Sequence, residues 1–116
     1  MNVLDLFEEV RATTNAGGTK GFEVAFLSAL KKVISDLNRK LVESIVAPDT
    51  LDSVEIGFAD YCDNVFHPGI KFYMQRAGQW AQDPDGESRQ FYEMELRKVI
   101  GAAIDADTTF KTRNEE

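Results

Sequence analysis

Cys62 and His67 are the only thiol and the only imidazole of the chain. In principle such a pair can act as a nucleophile and its general base. On a helix, five residues place two side chains about 140° apart, because each residue turns the helix by about 100°. Cys62 also falls on an apolar stripe, where a buried and inert thiol is the more common arrangement. The spacing therefore predicts no catalytic pair, and we expect no enzyme.

Asp60, Asp63 and His67 are the best candidates for metal ligands. Asp63 and His67 stand one helical turn apart, as in metal sites on helices. No residues that would complete a coordination shell are visible, so the pattern favours a solvated acidic face. The Asp-x-Asp pieces at 83–85 and 105–107 lack the glycine and terminal glutamate of a calcium loop. We expect neither a metal nor a cofactor.

The glycine-rich stretch 15–21 superficially resembles a phosphate-binding loop. The Walker pattern requires Gly, four residues and then Gly-Lys-Ser/Thr after a buried strand. Here the order is Gly-Thr-Lys-Gly, and the segment before it has a helical pattern. The stretch is typical of a loop between two helices.

Composition limits the function further. The chain has 13 Lys and Arg against 20 Asp and Glu, a net charge of −7, and its basic residues are scattered along the sequence. A protein that binds nucleic acid tightly needs a basic face. We therefore expect no nucleic-acid binding here, although an acidic wall past which DNA slides remains possible. A single cysteine fits a reducing cytoplasm. With no apolar run of about 18 residues and no basic start typical of a signal peptide, the sequence predicts no membrane segment.

Two amphipathic helices are predicted in the first part of the chain. Residues 3–12 have apolar side chains at the period of one helix face, and residues 22–43 form the longest such stripe. Charged residues, among them Asp36 and Lys40, are expected on the opposite, solvent face of the second helix. A helix of that length needs a partner surface along it, because helices are held mainly by packing.

The apolar period continues from Val54 to Trp80, which predicts a helix over about 58–80. Gly69 lies on the stripe, where a missing side chain would let another backbone approach. Pro68 should bend this helix; two helices joined by a turn remain the alternative. Within residues 49–57, Asp52 and Glu55 could cap a helix that starts near residue 53. Alternatively Ser53-Val54-Glu55-Ile56 is a short extended piece and the helix begins beyond Gly57, which we favour slightly.

A last helix is predicted over about 87–103, with Asp83 as its cap and Pro84 at its first position. From residue 105 the apolar period vanishes, so residues 105–116 are expected to be an extended tail. The sequence therefore predicts an all-α bundle, residues 1–104, with three principal helices, a short N-terminal helix and this tail.

Aromatic residues gather around the last turn of the predicted bundle. Most of them lie on core stripes, but Phe72 and Phe91 fall beside the stripes. Aromatic residues off the core are typical anchors of protein interfaces. Phe72 and Phe91 are therefore predicted to contact a partner.

A series of short motifs follows the first long helix in a characteristic order. The motifs are Ile56-Gly57-Phe58, Asp60-Tyr61, Val65-Phe66, Gly69-Ile70-Lys71, Tyr73, Trp80-Ala81 with an Asp-Pro turn, and Phe91-Tyr92 with Leu96. This arrangement resembles the head–tail connector (adaptor) proteins of tailed bacteriophages, in which a helix with a Gly-Ile/Val element runs to a Trp and a polar turn. The resemblance spans residues 22–103. The chain departs from it at Pro68 and in its extra N-terminal helix.

The resemblance implies a structural virion protein at the head–tail junction, assembled in the host cytoplasm. Such proteins form a homo-oligomeric ring, commonly of twelve copies, between the portal and a downstream tail or stopper protein. DNA passes through the central channel without sequence-specific binding. A C-terminal segment typically grips the portal, and here its candidate contacts are Thr108, Thr109, Phe110, Lys111 and Arg113.

A small cytoplasmic interaction or regulatory protein that acts as a helical dimer is the alternative reading. It requires the same helical fold and no catalytic residues. The two readings differ in assembly, since a regulator stays a dimer at every concentration and a connector forms rings.

Overall fold

Four α-helices and one 3-10 turn carry the described part of the chain. The structure is a computed structural model that describes residues 1–13, 21–51, 54–78, 80 and 86–115, with side chains described to residue 106. The helices are α1 (Val3–Thr13), α2 (Phe22–Leu41), α3 (Asp63–Arg76) and α4 (Glu87–Glu115), and the turn is Asp60–Cys62. The predicted all-α bundle of three principal helices and a short N-terminal helix is confirmed.

The N-terminal helix begins where a side chain caps it. Asn2 Oδ1 accepts hydrogen bonds from the backbone N–H of Leu4 (3.0 Å) and of Asp5 (3.2 Å). This satisfies two of the donors that every helix start leaves unpaired. The apolar stripe predicted for α1 is confirmed, because Val3, Leu6, Phe7 and Val10 are all buried.

Residues 54–56 are extended and pair with the start of the chain. The N–H of Val3 donates to the carbonyl of Val54, and the N–H of Ile56 donates to that of Met1, both at 2.9 Å. The Met1 ammonium lies 3.1 Å from the Glu55 carboxylate. The favoured extended reading is therefore right for these residues, and Asp52, the other half of the capping alternative, lies outside the described residues.

The helix predicted over 58–80 is shorter at both ends. The α-helix begins only at Asp63, and it ends at Arg76. Three residues that share the period of the stripe therefore lie outside α3: Val54, Phe58 and Tyr61. Before α3, Cys62 is buried but Tyr61 and Val54 are exposed, so the period of the sequence there does not mark one buried face.

Helix α3 continues unbroken through Pro68. The interpretation as one helix is therefore right and the two-helix alternative is wrong. Gly69 permits a close approach, as predicted, but by side chains instead of a backbone. A Cβ at this position would lie 2.7 Å from Cε1 of Tyr92 and 2.7 Å from Cγ2 of Val33.

Helix α4 begins at Glu87, as predicted, but its backbone remains helical to Glu115. The expected end near residue 103 is wrong, and the segment from 105 to 115 is helical instead of extended. No Gly or Pro follows Gly101, so nothing local breaks the backbone hydrogen bonds where the apolar stripe stops. The cap expected from Asp83 and Pro84 lies outside the described residues, and the domain boundary at residue 104 stays a prediction.

The core lies around α3, which packs against both α2 and α4 and also against α1. The stripe of α2 predicted from the sequence faces it. Ser88 of α4 donates a buried hydrogen bond to Gln75 of α3. The largest fully buried side chains are Phe26, Phe66, Leu6, Leu30, Ile34, Leu37, Ile70 and Met74.

Candidate functional site: an aromatic groove with a cationic rim

Three helices meet at the carboxylate of Asp36. The hydroxyl of Tyr92 on α4 donates to Asp36 Oδ2 at 2.7 Å, and the hydroxyl of Tyr73 on α3 donates to the same oxygen. The guanidinium of Arg39 pairs with the other oxygen, Oδ1. The Asp36 side chain is only 14% exposed. The prediction that Asp36 lies on the solvent face of α2 is therefore wrong, because two tyrosines cover it.

Burial and the bond to Asp36 keep both phenols protonated. Burial, reinforced by the Asp36 hydrogen bond and charge, raises the pKa of Tyr73 to about 12. The same causes in the same order raise the pKa of Tyr92 further. Each phenol therefore acts at neutral pH as a hydrogen-bond donor that fixes one helix to another.

An open groove of about 690 Å³ surrounds this network, between α2, α3 and α4. Its floor is aromatic and aliphatic, and its rim is charged. We call it the α2–α3–α4 groove. It is lined by Asp36, Lys40, Phe72, Tyr73, Arg76, Arg89, Tyr92, Glu93, Leu96, Arg97 and Ile100.

Positive charge is in excess on the rim of the groove. Of its carboxylates, Asp36 is engaged by the tyrosines and Arg39, and Glu93 pairs with Arg89 at 3.1 Å. No carboxylate among the described residues forms an ion pair with Lys40, Arg76 or Arg97, the three other cations of the rim. These three side chains are exposed. An acidic protein thus presents a local basic groove.

The convergence of these cations was missed in the sequence, where the basic residues are scattered. Arg89, Glu93 and Arg97 follow one another at intervals of four, so a helical projection of α4 alone already aligns them. Whether that line faces Arg76 and Lys40 depends on how three helices pack. No local pattern in a single helix carries that information.

The two predicted interface aromatics lie in different places. Phe72 lines the groove and its ring stacks on that of Tyr92, with centroids 5.9 Å apart. Phe91 is 50% exposed and lines a smaller cleft with His67 and Lys71. The structure therefore brings Phe72, but not Phe91, to the groove.

The predicted contacts near the C-terminus fall on α4. The backbone of this segment is helical, and its side chains lie outside the described residues. The assignment of portal contacts therefore stays a prediction for Thr108, Thr109, Phe110, Lys111 and Arg113.

The thiol and the imidazole have separate structural surroundings. Cys62 is buried, and its burial, with the charges of Asp63 and Glu43, raises its pKa to about 11. Its thiol is therefore protonated at neutral pH, the unreactive form. His67 instead contacts Thr13, with Nε2 3.0 Å from Oγ1, and Trp80, edge to face. Burial lowers the pKa of His67.

The acidic residues beside this histidine do not gather into a metal site. Asp63 lies 3.6 Å from the Met1 ammonium, which supplies a positive charge of its own. Within the described ranges, no group of three His, Cys, Asp or Glu side chains is arranged to hold a metal ion. The glycine-rich stretch compared with a phosphate loop falls almost wholly on residues 14–20, outside the described residues.

Three comparisons with known proteins found no match. No protein-family model, no curated protein and no solved structure matches it. Among the described helices, none is both long and apolar enough to cross a membrane. Function must therefore be inferred from the surfaces of this chain and from the order of its motifs.

Proposed function

We propose that this chain is a structural assembly subunit, a head–tail connector protein of a tailed bacteriophage. In this role copies of the chain form a ring between the portal and the tail. The protein contributes binding surfaces and no catalysis. The observation that carries the proposal is the length of α4 relative to the core it packs on.

One face of the first half of α4 is buried in the core, and the described side chains from residue 104 to 106 are exposed. Tyr92, Leu96 and Val99 belong to the core, whereas Gly101 has no atoms within 4 Å of a Cβ position and Ile104 is exposed. The 29 residues of α4 span about 43 Å at 1.5 Å per residue. Because helices in proteins are stabilised mainly by packing, a helix that extends beyond its own core favours a partner chain.

The order of elements supports the same proposal. The long α2, the extended segment, α3 with Gly69-Ile70 and the helix after Trp80 follow the order of the connector motifs. The net charge of −7 suits a channel through which DNA must move without being held, because like charges repel.

A dimeric regulatory protein is the second candidate, favoured by a different surface of α4. Phe91 is 50% exposed and Met94 is 41% exposed. They stand three residues apart and are neighbours on the helix surface. Two copies could bury this pair against each other in a closed dimer.

Attachment to the portal protein of the same genome tests the proposal. Full-length chain should co-sediment with the portal, whereas a chain ending at residue 104 should stay folded by circular dichroism and no longer bind. Val24→Ser is the matched control, because Val24 is 72% exposed on α2. This variant should bind the portal like the parent. A chain that remains a dimer and does not bind the portal would support the dimeric regulatory protein instead.

A further inference from the structure

The α2–α3–α4 groove favours an occupant that carries carboxylates for its cationic rim and at least one apolar side chain for its floor. Lys40, Arg76 and Arg97 line it, and no carboxylate among the described residues forms an ion pair with them. The Arg76 guanidinium lies over the Phe72 ring, 5.6 Å from its centroid. The floor of the groove offers Leu96 and Ile100. Charge complementarity of this kind selects partners and steers their encounter.

The outer face of α1 has the complementary composition. Asp5, Glu8 and Glu9 are exposed there, at spacings that place them together on a helix. Leu4 beside them is 37% exposed. No basic side chain among the described residues forms an ion pair with these three carboxylates. Arg11, in the last turn, is the one basic residue of α1.

A chain cannot place this face in its own groove. The start of α1 is held by the backbone bonds of Val3 to Val54 and of Ile56 to Met1. Its inner face is held by Phe7, whose ring packs on Phe22 and Phe26 at the start of α2. The groove uses the opposite half of α2, at Asp36 and Lys40. The fit must therefore be made between two molecules.

We infer that the acidic outer face of α1 in one copy docks into the α2–α3–α4 groove of the next copy. The two surfaces are different, so the contact is heterologous and leaves one of each free on every pair. Such contacts continue until a ring closes or a filament grows. The inference rests on the proposed function, for which it names the contact between neighbouring subunits.

Disulfide trapping between two single-cysteine additions tests the contact. One copy carries Leu4→Cys and the other Ile100→Cys, so every charged residue is kept, and the buried Cys62 stays in both. In the matched control Val24→Cys, at another exposed apolar site on a helix, replaces Leu4→Cys. Mixed at high concentration under mild oxidation, the test pair should give about tenfold more heterodimer, a ratio equivalent to about 1.4 kcal/mol.

Charge reversal then tests the rim. Arg97→Glu in the groove copy should reduce trapping to the control level, and Glu8→Arg in the α1 copy should restore it. Equal yields from the test and control pairs would overturn the inference and leave the groove to another acidic partner. A heterodimer yield that stays the same in both charge-reversal variants would also overturn the inference.

These outcomes are separable from the fate of the connector proposal. If portal-bound rings form while trapping stays at the control level, the named contact is wrong and the connector function stands. If trapping is selective but the chain never binds the portal, the contact stands and the connector function fails.

Discussion

The Tyr92 hydroxyl donates a 2.7 Å hydrogen bond to Oδ2 of Asp36, and this bond joins α4 directly to α2. These two helices otherwise touch only lightly, since α3 lies against both of them. Tyr73 donates to the same oxygen from α3. The three side chains therefore fix the relative positions of all three helices that form the groove.

Tyr92→Phe should lower the free energy of unfolding by about 1.5–3 kcal/mol, the range for a hydrogen bond to a charged group. The ring that stacks on Phe72 is kept, so the loss reports on the hydroxyl alone. Denaturant titration measures it. Adding Tyr73→Phe should cost more than the sum of the two single changes, because Asp36 then loses both phenol donors. An unchanged midpoint for Tyr92→Phe would mean that the bond contributes nothing.

Stability should fall in alkali because the folded chain holds both phenols protonated. Their folded pKa values are raised, so their contribution is complete below the ordinary value of 10.0 and is lost as the pH rises through the folded values, about 12 for Tyr73. In that range the unfolded chain releases protons that the folded chain keeps. Across this range the free energy of unfolding should fall less steeply with pH in the Tyr73→Phe, Tyr92→Phe double variant than in the parent. Parallel curves for parent and variant would refute this.

Two glycines on helices should respond to alanine with opposite signs. At Gly69 a methyl group meets Tyr92 and Val33 at 2.7 Å, and overpacking of this kind typically costs about 1–3 kcal/mol. At Gly101 a Cβ meets nothing within 4 Å, so Ala should gain about 0.5–1 kcal/mol from its helix propensity. Thermal unfolding of the two variants decides the matter, and Gly69→Ala as stable as the parent would mean that α3 and α4 are not packed this closely.

Leu30→Ala should cost about 2–5 kcal/mol, the usual range for a leucine truncated in a packed core. Leu30 is fully buried on α2. Val24→Ala on the exposed side of the same helix should stay within about 0.5 kcal/mol of the parent. Equal denaturant midpoints for the two variants would show that the buried face of α2 is wrongly assigned.

The sequence predicted the elements whose stripes face one core. The periods of α1 and α2 are complete within each helix, so their buried faces followed from local spacing. Pro68 was correctly kept inside one helix for the same reason. The end of α4 was missed because its stripe stops near residue 103 while its backbone remains helical to Glu115.

The groove could not be predicted in the same way. Asp36 has the sequence context of a surface residue, and only the hydroxyls of Tyr73 and Tyr92, 37 and 56 residues away, make it a half-buried acceptor. Phe72 was identified as an off-stripe aromatic, but its cationic neighbours come from three helices. Tertiary packing, which no single helix encodes, assembles the site.

The mass of any complex between this chain and a portal protein of the same genome tests the central claim most directly. Sedimentation velocity or native mass spectrometry of the mixture should find one chain for each portal subunit, arranged as a ring, with free chain monomeric at low concentration. A dimer of constant mass at every concentration, with no mass added to the portal, would contradict the proposal that this protein is a connector subunit.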